Sequence, residues 1–331
     1  MSFSNTFDTT NTGSAVSNRE DLTDVLTILA PEETPILSSA DKQKASSTFV
    51  EWTVDSLAAP STAGISEGAD VTAFTDQFAG RAKLGNRVQK FRRDYMVSDM
   101  QEAVDSVGPA KIAQAEAKAI RELKRDIEAT LASANTQAVE NGAGTANALG
   151  GLGDWIQNAA GSANVPAAFQ TPAASVVDAG STLSEEEFNG LITSIFGVTG
   201  STNNLMLIAD TTLRSDISDF ARTSGASNAV YRSVNYDGNS GEIKLSVDLY
   251  QSDHGVVSIV NGNPDCMPTQ AGTAGMMGYL VNPEYYGVHE LIPMGSTRLP
   301  NLGGGERGFV DCALTLGVYH PGAHGKIVDP S

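Results

Sequence analysis

The residues that could do chemistry are few, and their spacing works against them. His289-Glu290 begins like the zinc-binding helix of a metalloprotease, but HELIPM carries no second histidine and runs into Pro293. His320 and His324 lie four apart, yet Pro321 and Gly322 between them keep the pair off one helical face. His254 is the only other histidine, so candidates for a general base are scarce. LGGGER at 302–307 lacks the Lys-Ser/Thr of a phosphate loop, and DGNSGE at 237–242 sets the wrong glycine spacing around Ser240 for a nucleophile elbow. Both read as turns. The acids from Glu185 to Glu187 stand at a helix start, where the helix dipole alone accounts for them. Cys266 and Cys312 are too few for a disulfide scaffold and read as reduced, buried thiols. No acid, base and nucleophile converge. The expectation is a chain that is not an enzyme, with no catalytic residue, no cofactor and no metal site.

Charge carries a stronger signal. Residues 47–94 sort their charges into two blocks: first Glu51, Asp55, Glu67, Asp70 and Asp76 with no cation, then Arg81, Lys83, Arg87, Lys90, Arg92 and Arg93. A solvated basic face is the simplest account of such a run. The flanking pattern adds a second one. Thr48 to Asp55 alternates, with Val50, Trp52 and Val54 on one side and Glu51, Thr53 and Asp55 on the other. Pro, Gly, Ser and Thr break the pattern from Ala58 to Gly80, and strand character resumes near Arg87–Val97. This predicts a long two-stranded excursion over 47–97 with a flexible tip. Opposite charges on paired strands attract. A two-stranded ribbon also has little core of its own, so it needs a neighbour. An adjacent copy of the same acidic chain would supply one, with both charged arms as intersubunit contacts. Trp52 reads either as the apolar root of the excursion or as ordinary core.

The elements around it follow from periodicity. Residues 1–17 read as a polar arm, and 18–30 as a helix with Leu22, Val25, Leu26 and Leu29 on one face, ended by Pro31. Residues 31–46 read as connection. The clearest helix opens at Gly108-Pro109 and runs to about Ala134. Its apolar stripe is Ile112, Ala115, Ala119, Ile120, Leu123, Ile127 and Leu131, with Glu122–Arg125 and Lys124–Glu128 as pairs on the other faces. A helix this long can act as a strut. From Asp126 to Asp210 there is no Lys or Arg, and a long Ala/Gly/Asn-rich loop is anchored only by Trp155 and Ile156. Ser184 starts a helix carrying Phe188, Leu191, Ile192 and Ile195. NNLMLIAD is a buried strand followed by a short helix, an α/β subdomain. EIKLSVDLY, GVVSIV, GYLVN and FVDCALTLGVYH read as strands.

The chain has 331 residues, 40% of them hydrophobic and only 6% aromatic, so its core is built of small aliphatic side chains. A net charge of −18 argues against wrapping duplex DNA by the bulk surface. The polar N-terminus is no signal peptide, and no run is long enough to span a membrane. The expectation is a protein made and used inside a cell, or released by lysis.

A polar arm, a long two-stranded loop, a strut helix, an α/β middle and a returning β segment come in an order that resembles the major capsid protein of tailed double-stranded-DNA phages of the Hong Kong 97 type. The residues that carry the resemblance are EETPILSSADKQKASSTFVEWTVDSLA, Glu67-Gly68-Ala69-Asp70, GNRVQKFRRDYMVSDMQEAV, AIRELKRDIEATL and GGLGDWI, in that order. They cover residues 30–157, and the rest agrees in layout. The resemblance implies an α+β fold with an N-terminal arm (1–46), an extended loop (47–97), a peripheral domain with a spine helix (98–149) and an axial domain (150–270). A returning β segment (271–331) would be shared by the last two. It implies packing of the spine through Ile120, Leu123 and Ile127. It also implies hexamers and pentamers of an icosahedral shell, assembled in the host cytoplasm and enclosing double-stranded DNA without sequence-specific binding. The chain itself would be the main partner, with scaffold, portal and decoration proteins as further ones and no membrane. The short arm points to a separate scaffold or none. Some relatives crosslink through a loop lysine; Lys83 and Lys90 are the lysines here, and the sequence sets no activating carboxylate beside either. The alternatives are a nanocompartment shell of the same fold around host cargo, or another phage structural protein.

Overall fold

The computed structural model describes residues 33–104, 111–142, 144–157, 165–180, 182–202, 204–220, 248–268 and 277–328. The expected arm and first helix, the Gly108-Pro109 start, the DGNSGE turn and most of EIKLSVDLY lie outside these residues.

The chain enters through a short helix, α1 (Pro35–Ser39), and a strand, β1 (Asp41–Lys44), where the sequence had suggested only connection. Both are too short to show periodicity, and each is held by distant partners. The excursion follows as β2 (Phe49–Val54) and β3 (Ala82–Arg87). After one residue the chain continues as β4 (Gln89–Val97), α2 (Asp99–Ala103) and the strut helix α3 (Lys111–Ala132). Twenty-two helical residues span about 33 Å. α4 (Leu152–Trp155) and β5 (Val176–Asp178) precede α5 (Glu185–Thr199), β6 (Leu205–Ala209) and α6 (Thr211–Phe220). The chain then forms β7 (Leu249–Ser252), β8 (Gly255–Asn261), β9 (Met277–Val281), β10 (Tyr286–Leu299), β11 (Glu306–Val318) and β12 (Gly325–Val328).

These strands make two sheets beside the β2–β3 ribbon. One has the order β1-β10-β11-β4, with β1 parallel to β10 and the rest antiparallel. The other is mixed, in the order β5-β12-β9-β6-β8-β7. α3 lies on the first sheet with Ala119, Leu123, Ile127 and Leu131 buried, while Ile112, Ala115 and Ile120 pack at its margin. α5 and α6 cover the second sheet through Phe188, Leu191, Ile192, Ile195, Leu213 and Ile217. α5 starts as its sequence predicts. Ser184 Oγ accepts the Glu187 N–H, Glu187 accepts the Ser184 N–H at 2.9 Å, and Gly200 ends the helix at φ +68°. Residues 271–331 supply β10 and β11 to the first sheet and β9 and β12 to the second. Tyr279 on β9 donates to Ala132 O at 2.6 Å, tying the second sheet to the end of α3.

Three expectations need correction. β4 is not the return arm of the excursion: Phe91 and Tyr95 are buried and the whole strand pairs with β11. HELIPM, which opens like a zinc-binding helix, lies in the strand β10, an element the sequence reading did not identify. The register shifts between Glu290 and Ile292 and again before Gly295, the bulged geometry that accommodates proline. The Lys124–Glu128 surface pair does not form, because Glu128 points inward and is 1% exposed.

His324 is fully buried beyond β11. Its Nδ1 accepts the Asn282 N–H at 3.2 Å and its Nε2 faces Tyr285 O at 3.3 Å, so the ring is neutral with its proton on Nε2. Burial pushes its pKa from 6.5 down to about 4. Its share of stability is present above pH 6.5 and is lost as pH falls towards 4. In an NMR titration the His324 ring should hold its neutral shift to below pH 5. Leu123→Ala should cost about 2–5 kcal/mol in chemical denaturation, and Ile120→Ala, at the margin, about 1–2 kcal/mol.

Candidate functional site

The excursion leaves the body through a small, heavily tied root. β2 and β3 pair in antiparallel register from Phe49↔Arg87 to Val54↔Ala82. Trp52 and Leu84 are partners on the inward face. The Trp52 ring lies 5.6 Å from Trp155 of α4 and 6.1 Å, edge-on, from Tyr319. Trp52 is therefore both the root of the excursion and part of the core. Phe49 packs over Gly85 so closely that a Cβ there would come within 2.6 Å of the ring. The Arg87 guanidinium sits 5.0 Å above the same ring.

Asn86 is the centre of the root. It is fully buried, and every hydrogen-bonding group of its side chain is used. Nδ2 donates to Gly150 O at 3.0 Å and Leu316 O at 2.8 Å, while Oδ1 accepts from Gly150 N at 2.8 Å and Arg87 N at 2.9 Å. One side chain thus joins β3, the GGLGDWI segment and β11. Gln89 repeats the theme by accepting the Leu149 N–H at 3.1 Å.

Beyond the root the excursion is open. Asp55 and Arg81 close its neck with an ion pair of 2.7 Å, which holds the Asp55 carboxyl below the usual range, and Arg81 also covers Phe78 at 4.0 Å. Between them the tip presents Leu57, Ile65, Val71, Phe74 and Phe78 to solvent; Leu57 is 100% and Phe74 91% exposed. Glu67 and Asp70 are exposed beside them, and Asp76 accepts the Phe78 N–H at 2.9 Å. Among the described residues, nothing covers these five side chains.

The two charge blocks do not face each other as a whole. Only Asp55 and Arg81 meet across the ribbon. Lys90 pairs instead with Asp311 of β11 at 3.0 Å, and Arg93 binds Asp126 of α3 through two hydrogen bonds of 2.5 and 2.7 Å. Glu51, Glu67, Asp70, Lys83 and Arg92 make no ion pair among the described residues. Sequence reasoning found the excursion and its charges. It missed Asn86, whose partners are distant in sequence, and the apolar tip, whose side chains are scattered among Gly, Ser and Thr.

Three of the four histidines pack against the body, while His254 is exposed and stacks on Phe196. His289 is buried against Tyr319, and His320 lies edge-on to Phe169 and Tyr285. Both Cys266 and Cys312 are buried and unbridged. Among the described residues no cluster of three or more His, Cys, Asp or Glu could hold a metal, and no helix is long and apolar enough to cross a membrane.

Comparison with known proteins agrees with this layout. A family model described as SU10 major capsid protein matches residues 4–331. No curated protein matches the sequence. Among solved structures the chain is similar to the capsid structure of cyanophage P-SCSP1u, at 11% identity and a TM-score of 0.63, over 95% of this chain and 93% of that one. It is similar to the capsid asymmetric unit of cyanophage A-1(L), at 14% identity and a TM-score of 0.62, over 97% and 98%. It is also similar to the capsid of an empty GTA particle, at 10% identity and a TM-score of 0.61, over 98% and 99%. At such identities the likeness is one of fold.

Asn86→Ala would remove the partner of the Gly150 and Arg87 N–H groups and of the Gly150 and Leu316 carbonyls. It should cost about 3 kcal/mol or more, and hydrogen exchange should rise first at residues 149–151. Arg81→Ala at the exposed neck should leave the melting temperature unchanged.

Proposed function

The chain belongs to the SU10 major capsid protein family, and on that premise we propose how it builds its shell. It is a virion structural protein with an α+β phage capsid fold. In our reading copies assemble in the host cytoplasm into pentamers and hexamers of an icosahedral shell around double-stranded DNA, and the chain carries out no catalysis.

The observation that carries this reading is the contrast within the excursion. Its root is held by a fully satisfied buried Asn86 and an aromatic cluster, while its tip exposes five large apolar side chains that none of the described residues covers. A rigid stem with an uncovered apolar end suits insertion against another copy. The tip, from Leu57 to Gly80, carries Glu67, Asp70 and Asp76 and no cation. Exposed Lys83, Arg92 and Lys124 offer the complementary charge on β3, β4 and α3. Apolar burial would supply affinity, and the charges would select register and partner. Each contact can be weak, because a closed symmetric shell multiplies many of them. The net charge of −18 supports a wall that encloses DNA without adhering to it.

Negative-stain electron microscopy and light scattering of the expressed chain test this directly. Rings of five or six, sheets or closed particles are expected, with nucleic acid rather than protein cargo inside particles made during infection. Phe74→Ser and Arg92→Glu should each leave the circular dichroism of the subunit intact. Both should reduce assembly at least tenfold, the second more strongly at low salt. Assembly at wild-type levels by both variants would refute the proposed contact.

A further inference from the structure

The segment around α4 is where three parts of the chain meet, and the excursion is one of them. From the excursion side Asn86 accepts the Gly150 N–H at 2.8 Å, and Gln89, at the start of β4, accepts the Leu149 N–H at 3.1 Å. From the end of the strut, Asn135 O accepts the Gly151 N–H at 3.1 Å and Ser133 O accepts the Gly153 N–H at 3.0 Å. The third tie comes from the second sheet. Lys326, half-buried on β12, extends its ammonium to Gly153 O at 3.3 Å. The Gln157 amide donates to the same oxygen at 3.1 Å.

Close packing makes this reach possible. Lys326 and Tyr279 are register partners across β12 and β9, so their side chains leave the sheet on the same face. The Tyr279 hydroxyl lies where α4 passes: a Cβ on Gly153 would stand 2.8 Å from it and 2.9 Å from the Ala134 Cβ. Only a bare backbone fits there, and its carbonyl is the group that the lysine holds.

Charge adds to the contact. Asp154, the next residue of α4, is buried, and its Oδ1 meets no donor among the described residues. Lys326 favours the ionised carboxyl against the burial that opposes it, and Asp154 favours the charged lysine in return. No Lys or Arg lies between Arg125 and Arg214, so the α4 segment has no cation of its own. The charge it needs comes from the other end of the chain.

We propose that Lys326 is a positioning residue for the excursion: from the second sheet it fixes α4, and α4 in turn fixes Asn86 and Trp52 at the root. The ammonium holds the Gly153 carbonyl, Gly150 meets Asn86 on one side, and Trp155 packs on Trp52 on the other. β12 therefore sets how firmly the excursion is seated, and a shift of the second sheet reaches the excursion by this path. The inference concerns a single subunit, so it stands or falls apart from the reading of how copies assemble.

Hydrogen exchange by mass spectrometry on the full chain, at one pH and at a concentration too low for assembly, reads the root at residues 86–88 and 149–151. Lys326→Met keeps most of the stem but loses the ammonium. It should speed exchange at both segments about tenfold, the effect of one lost charged hydrogen bond. Ile327→Val is the control, because it trims the buried neighbour of Lys326 on the same strand. It should speed exchange in β12 and leave the root at wild-type rates. Unchanged exchange at the root in Lys326→Met would overturn the proposal. So would a rise of equal size in Ile327→Val, which would mean that any loosening of β12 has this effect. Should the methionine variant not fold, Lys326→Gln, with neither the charge nor the reach, is read by the same two criteria.

Discussion

A long two-stranded excursion has no interior, so the structure depends on how that ribbon is fastened. Asn86 solves the problem with one amide. It is buried where an unpaired polar group would be costly, and it avoids that cost by joining three chain segments at once. The aromatic contact of Trp52 with Trp155 and Tyr319 adds area on the same side. Outward of this point the excursion is exposed, and inward it is tied to β11. The division between rigid root and open tip is therefore set by a few buried bonds rather than by a change in secondary structure.

Electrostatics partition the molecule in a similar way. No Lys or Arg occurs between Arg125 and Arg214, so the covering helix α5 and the strands around it carry acids almost unopposed. The cations cluster instead on β3, β4 and α3. Part of that cluster is spent within the chain: Lys90 and Arg93 bind Asp311 and Asp126 and fix β4 between β11 and the strut. Exposed pairs of this kind add little stability, but they settle which cations remain for other contacts.

Much of this was legible in the sequence where the signal is local. The capping box at Ser184, the apolar stripe of α3, the alternation of β2 and the charge segregation of the excursion all depend on residues within one or two turns of each other. The failures share a cause. β4 continues the alternation of the ribbon, and only pairing with β11, more than 200 residues on, reveals that it belongs to the body. β10 hides behind Pro293 and Gly295 because a bulge is a property of two strands. Glu128 stands four residues after Lys124, the spacing of a surface pair, while its actual partners are α1 backbone groups. Asn86 likewise looks like any polar residue in a strand. Buried polar residues that serve distant backbone are invisible to periodicity; here Asn86 ties down the excursion and Glu128 the entry helix.

The chain contains two tryptophans, and both sit at the root of the excursion, 5.6 Å apart. Its indole emission therefore originates at a single place. A subunit whose excursion shifts against α4 would change colour and anisotropy there, with no other indole to dilute the signal. The molecule carries its own optical gauge for the joint on which its shape depends.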